Sequence, residues 1–201
     1  MKPYVIAEMG VNFYDTAKKL NINPLEAAKM YIDAAAEAGI DCAKFQSYKA
    51  GTIVSKNSPA YWDLTKEPTK TQYELFLKHD SFGECEYREL CKYTHDKGMD
   101  FTSTPFDYAS ADYLYDMVDF YKISSSDLSN LPFIHHIGAK GKPVFVSVGA
   151  AYLSECDEAI RALQESGCKD IVVFHCVLSY PTNPKDANPV SYTHLTLPTI
   201  A

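Results

Sequence analysis

The amino-acid sequence predicts an α/β protein, an incomplete (β/α)8 TIM barrel with about six of the eight strand–helix units present. Three observations lead there. Short apolar runs alternate with helical patterns at roughly thirty residues per unit, which calls for parallel strands joined by right-handed crossovers. The strand runs are continuous in Val, Ile and Phe rather than alternating, the pattern of strands covered on both faces. Small or polar residues follow every strand at its carboxyl end. In an open doubly wound sheet ligand groups gather at one switch point, whereas in a barrel each strand contributes one or more. A full barrel takes about 250 residues, and this chain has 201.

The first strand is expected over Tyr4–Ala7, followed by Glu8, Gly10 and Asn12. Pro24–Ala38 reads as a helix, with Pro24 at its start and Gly39 past its end. Ile40–Phe45 is the second strand and supplies Lys44, Gln46 and Ser47. The stretch Tyr48–Asp80 is too long for a βα loop of about 2–6 residues, and its Tyr61, Trp62, Tyr73 and Phe76 mark either a substrate lid or a packed excursion. Glu84–Lys97 is helical up to Gly98, and Met99–Thr102 is the third strand, followed by Ser103, Thr104 and Asp107. A short helix over Tyr108–Met117 leads into a fourth strand, Val118–Ile123, with Ser124, Ser125, Ser126 and Asp127 behind it. Leu131–Ala139 is helical, Val144–Val148 is the fifth strand with Ser147 and Gly149 at its end, Ser154–Glu165 is helical, and Ile171–Cys176 is the sixth strand, carrying His175.

Composition narrows the function. With 46 % hydrophobic and 22 % charged residues the chain can bury a large core. A net charge of −7 argues against a nucleic-acid footprint, which needs clustered Lys and Arg. An acidic surface still permits a locally positive site for a small anion. No apolar run approaches the ~20 residues of a membrane span, and Glu8 interrupts the apolar start that a signal peptide needs. The expectation is a cytoplasmic protein without membrane or nucleic-acid partners. The six cysteines include no C-x-x-C pair, so reduced, structural thiols are expected rather than disulfides or zinc. Neither G-x-G-x-x-G nor G-x-x-x-x-G-K-[ST] occurs, which removes the main support for nucleotide binding.

Lys44 and Lys122 follow apolar runs and are expected to point into the mouth at the carboxyl ends of the strands. One reading has them as snorkelling surface lysines. The other joins them with Ser125, Ser147 and nearby backbone N–H groups into a site for a phosphate or carboxylate, with Glu8 and Asp127 as acid–base groups or water-orienting carboxylates. Ser125 has no His/Asp partners at hydrolase-like spacing, which argues against a serine nucleophile.

Six motifs occur in order: Ile6-Ala7-Glu8-Met9-Gly10-Val11-Asn12, Lys44-Phe45-Gln46, Ser103-Thr104-Pro105-Phe106, Tyr121-Lys122-Ile123 with Ser125, Lys142-Pro143 through Ser147 and Gly149, and His175-Cys176 through Tyr180-Pro181-Thr182. Together, from about residue 4 to 188, they resemble the barrel domain of the sialic acid synthase (N-acetylneuraminate synthase) family. The resemblance implies condensation of phosphoenolpyruvate with N-acetylmannosamine or a related amino sugar, with release of phosphate. It implies a phosphoenolpyruvate site of Lys44, Gln46, Thr104, Lys122, Ser125 and Ser147, with Glu8 near the reacting carbons and Tyr180 facing the sugar. It also implies a divalent metal, Mn2+ or Mg2+, and a homodimer for the complete enzyme. The metal-binding histidines of the family come from the last two barrel strands, so no metal ligand is expected in this chain, and no activity from it alone.

Three positions depart from the family pattern. Asp127 stands for Glu, Leu178 for an Asn that contacts the sugar, and Phe13 for a common His, which points to a different amino sugar, such as a legionaminate- or pseudaminate-type precursor or a spore-coat sugar. A 3-deoxy sugar acid synthase of the same superfamily would need cations for a second phosphate, and Arg88 and Arg161 are the only arginines. A non-catalytic fragment is the remaining alternative. Two segments are expected, a partial barrel over 1–189 and a non-native tail over 190–201, where the sequence resembles a translated sequencing adapter.

Overall fold

The computed structural model describes residues 2–179 and 181–190. It has the parallel α/β organisation the sequence predicts, and it divides into two compact units, Met1–Asp119 and Phe120–Ala201.

In the first unit, β1 (Ile6–Gly10), β2 (Cys42–Ser47) and β3 (Asp100–Pro105) form a parallel sheet in that order. The crossovers are α1 (Phe13–Leu20) and α2 (Pro24–Glu37) after β1, then α3 (Ala50–Ile53), α4 (Gln72–Leu77) and α5 (Glu84–Asp96) after β2. Helix α6 (Tyr108–Tyr113) and a 3-10 turn at Leu114–Asp116 follow β3. Helix α2 starts where Asn23 accepts a hydrogen bond from the Leu25 N–H and Glu26 reaches back to the Asn23 N–H, with Pro24 supplying a first-turn residue that needs no donor. Side chains alternate across the sheet. Phe45 and Phe101 turn to the helices, where Phe45 meets both Phe13 and Phe101, while Glu8, Lys44, Gln46, Thr102 and Thr104 share the other face by register.

In the second unit, β4 (Tyr121–Ile123), β5 (Val144–Ser147) and β6 (Ile171–Phe174) form another parallel sheet in that order, with α7 (Leu131–Gly138) and α8 (Leu153–Glu165) as the crossovers. Tyr121, Ile123, Val144 and Val146 are fully buried on one face. Lys122, Phe145, Ser147 and Phe174 lie on the other, where Phe145 stacks on Phe120 at 4.0 Å and meets Phe174 edge-on.

The strands start and stop differently from the expectation. Strands β2 and β3 run on to Ser47 and Pro105, because their parallel ladder continues through the Gln46–Thr104 and Ser47–Pro105 pairs, and a proline is tolerated at the last rung. Lys44 therefore stands inside β2 rather than at its end. The fourth strand starts only at Tyr121, since Met117 and Val118 spend their N–H groups on Leu114 in a tight turn. Helix α1 was not anticipated. Its buried Phe13, Tyr14 and Ala17 form a short apolar stripe, and it stops at Asn21, which takes the left-handed conformation (φ 54°) that Asn tolerates.

The long excursion after β2 is packed. Trp62 donates from Nε1 to the carbonyls of Glu67 and Thr69, both 3.1 Å away, and Pro59 bridges Thr71. Its base is tied down by Lys49, whose ammonium donates to the carbonyls of Asp80 (2.6 Å) and Phe82 (2.8 Å). None of the six cysteines forms a disulfide, and burial pushes the Cys42 thiol up to about 12. No helix among the described residues is long and apolar enough to cross a membrane. Val190 is the last described residue, so the expected tail lies outside them save for that one position.

Candidate functional site

The first unit brings Glu8, Lys44, Gln46 and Thr104 together. Lys44 is only 8 % exposed. Its ammonium pairs with the Glu8 carboxylate and donates to Thr104 Oγ1 at 3.2 Å. Both partners follow from register: Glu8 sits directly across the ladder from Lys44, and Thr104 is one same-face position beyond its other neighbour, Thr102. The pairing of β1 shifts between Glu8 and Gly10, with Met9 as the extra, buried residue. Gly10 has φ +55°, and a Cβ there would stand 3.2 Å from Glu8 Oε1 and 3.5 Å from the Gln46 side chain. The E-x-G motif is thus a bulge that brings backbone close to two of the expected site residues.

In the second unit Lys122 and Ser147 share one face of the sheet by register, and Lys122 lies close enough to Asp127 for its charge to act on that carboxyl. Lys122 is 7 % exposed; its ammonium donates to the Ile123 carbonyl at 2.6 Å and lies 5.7 Å from the centre of the Phe174 ring. Ser125 and Asp127 belong to a 3-10 turn capped by the Ser124 side chain. The Gly149 N–H donates to Ser125 Oγ at 3.0 Å. Burial raises the Asp127 carboxyl from 3.8 to about 6, against the opposing effects of the Ser126 hydroxyl and the Lys122 charge. Ser147 is buried at the end of β5. Each unit thus offers a desolvated ammonium, with the Thr104 hydroxyl beside it in the first and Ser147 on the same sheet face in the second, a chemistry suited to phosphate and carboxylate oxygens.

Several residues grouped with the site by sequence have other duties. Ser47 and Ser103 are fully buried on the helix-facing side and hydrogen-bond each other at 2.7 Å. Asp107 accepts from the Ser110 N–H (2.7 Å), capping α6, and from the Thr52 hydroxyl (2.5 Å), so its carboxylate is taken up by structure. Phe13 is a core residue rather than a sugar-side departure, its ring buried against Tyr14, Phe45 and Phe82. His175 accepts from the Asn188 N–H at 3.3 Å, and Leu178 is exposed. Tyr180 lies outside the described residues. Thr102, which the sequence reading places only at a strand end, stands two residues before Thr104 and so on the same face. Among the described residues no group of three or more His, Cys, Asp or Glu is placed to hold a metal ion. These residues do not fit the divalent metal the resemblance implies.

The model of the NeuB family matches residues 31–196. The chain is 33 % identical over 195 residues to the N,N'-diacetyllegionaminic acid synthase of Legionella pneumophila, covering 94 % of this chain and 52 % of that protein. It is 28 % identical over 189 residues to the N-acetylneuraminate-9-phosphate synthase of Homo sapiens, covering 92 % and 49 %. Among solved structures, the N-acetylneuraminic acid synthetase of Leptospira borgpetersenii in complex with citrate superposes with a TM-score of 0.80 at 29 % identity, covering 96 % of this chain and 60 % of that one. The chain spans about half the length of the curated relatives it matches.

Proposed function

This chain belongs to the NeuB family, and from that premise we propose that it serves a phosphoenolpyruvate-dependent carbon–carbon bond-forming synthase that makes a nonulosonic acid, its strand–helix units being part of a (β/α)8 barrel. The observation that carries this reading is the pair of buried lysines, Lys44 and Lys122, each on a parallel strand, with Lys44 donating to the Thr104 hydroxyl and Ser147 on the sheet face of Lys122. A buried ammonium is costly unless something negative compensates it. Glu8 does so for Lys44. An incoming phosphate or carboxylate offers the same compensation, and the Leptospira relative holds citrate, a small polyanion.

In this proposal each unit supplies anion-binding residues, Lys44, Gln46 and Thr104 in the first and Lys122, Ser125 and Ser147 in the second. Carbon 3 of the enolpyruvate attacks the aldehyde carbon of an open-chain amino sugar. Water then adds at carbon 2, and phosphate leaves with cleavage of its C–O bond. Glu8, already ion-paired to Lys44, lies beside the anion groups where it can hold that water or take its proton. Asp127, held near 6, is poised to exchange a proton close to neutral pH. Cytoplasmic location fits a metabolite such as phosphoenolpyruvate. The sugar we favour is a legionaminate-type precursor, on the strength of the Legionella relative and the shortened carboxylate at Asp127.

Calorimetric titration of phosphoenolpyruvate into the chain tests the reading. Saturable binding is expected, weakened at least tenfold in both Lys44→Met and Lys122→Met, since each removes a charged hydrogen-bond donor. An absence of binding, or indifference to both substitutions, would overturn it.

A further inference from the structure

The turn after β5 is shaped around one hydroxyl of the segment after β4. The Val148 N–H still continues the ladder to Phe174 of β6. At the next residue the chain leaves the sheet, and the buried Gly149 N–H turns to Ser125 Oγ at 3.0 Å. Ala150 then adopts φ +58°, a left-handed conformation that costs a non-glycine residue about 1 kcal/mol and that persists only where its surroundings impose it. A side chain at position 149 would crowd its neighbours: a Cβ would stand 3.1 Å from Ser125 Oγ and 3.2 Å from Cys176 Cβ, closer than such contacts usually are.

We propose that Gly149 is a positioning residue for Ser125, its N–H occupying a lone pair of the hydroxyl so that the O–H proton is aimed at the bound anion. A free serine hydroxyl rotates among staggered wells and can either donate or accept. With an N–H already donated to it, the oxygen keeps its own proton for an acceptor elsewhere, and the phosphoenolpyruvate oxygens are that acceptor. Glycine at 149 brings the amide to hydrogen-bonding distance without a methyl group against the hydroxyl. The inference rests on the function proposed above, because it concerns a residue of that anion site.

The test is a cycle of Ser125→Ala, Gly149→Ala and the double variant, read by calorimetric titration of phosphoenolpyruvate. Each single variant is expected to lose roughly tenfold in affinity, as for one hydrogen bond to a charged group. The double variant should be no weaker than either alone, because both remove the same aimed proton. Additive losses, or unchanged affinity in Gly149→Ala beside a loss in Ser125→Ala, overturn the positioning role and leave the function standing. No binding by the unsubstituted chain removes both. A second measurement needs no ligand and no change at 149: exchange of the Gly149 amide proton should speed up at least tenfold in Ser125→Ala, and unchanged protection would show that the hydroxyl does not hold that amide.

Discussion

Glu8 and Lys44 form one ion pair whose two ends live in different solvents. The lysine side chain is 10 % exposed and the glutamate side chain 50 %. Removing the lysine leaves a carboxylate that water can solvate, whereas removing the glutamate leaves a buried ammonium held by the neutral Thr104 hydroxyl. The costs are therefore unequal. Glu8→Gln should lower unfolding stability by about 1–3 kcal/mol and Lys44→Met by under ~1 kcal/mol, read by chemical denaturation. The reverse order would mean that the lysine is better hydrated than its burial indicates. Asp127 gives a pH signature of its own. Its folded value, about 6, lies above the 3.8 of an ordinary aspartate, so the native state binds the proton more tightly than the unfolded chain. The stability this confers is complete below about pH 4 and is lost as pH rises through 6. Asp127→Asn should remove that slope, leaving the variant more stable than the parent by about 1–2 kcal/mol at pH 7 once partial solvent exposure is allowed for. Denaturation midpoints of the two proteins at pH 4, 5.5 and 7 would show it, and parallel profiles would refute it.

At the scale of elements, the sequence was most legible where propensity and burial agree. The capped helix α2, with Asn23 and Pro24 at its start, and the apolar runs of β4 to β6 needed no tertiary information. Strand ends were less legible, because whether a rung forms depends on what the neighbouring strand offers: Gln46 and Ser47 are polar, yet they stay in β2 because Thr104 and Pro105 stand opposite. The candidate site was legible in its residue types and, within each unit, in its grouping. What sequence did not reveal is that Ser47, Ser103 and Asp107 serve the scaffold, since strand register decides which face a residue shows. Asp107 shows what that service is worth. One carboxylate caps α6 and holds Thr52 of the excursion. Asp107→Ala should cost about 1–3 kcal/mol by loss of the cap and a part-buried hydrogen bond. It should also expose the excursion, with proteolytic cleavage inside residues 51–79 at least several-fold faster than in the parent. Equal cleavage rates would show that Lys49, through Asp80 and Phe82, suffices to hold it.

For the whole molecule the governing quantity is the contrast between an acidic envelope and two desolvated cations. The chain carries −7 overall, so a small anion is repelled at long range and attracted only once it is close to Lys44 or Lys122. Salt acts on these two effects unequally. At an ionic strength of 0.1 M the screening length is about 10 Å, enough to erase the long-range repulsion, while interactions of buried groups are screened much less. A surface patch of lysines would lose affinity steeply as salt rises, as any binding driven by exposed charge does. Lysines 7–8 % exposed should not. Phosphoenolpyruvate affinity should therefore change by less than about threefold between 0.01 M and 0.1 M salt, with the repulsion relieved and the local attraction slightly weakened. Titrations at the two salt concentrations and constant pH measure this directly. A tenfold loss would place the anion on exposed cations and away from Lys44 and Lys122.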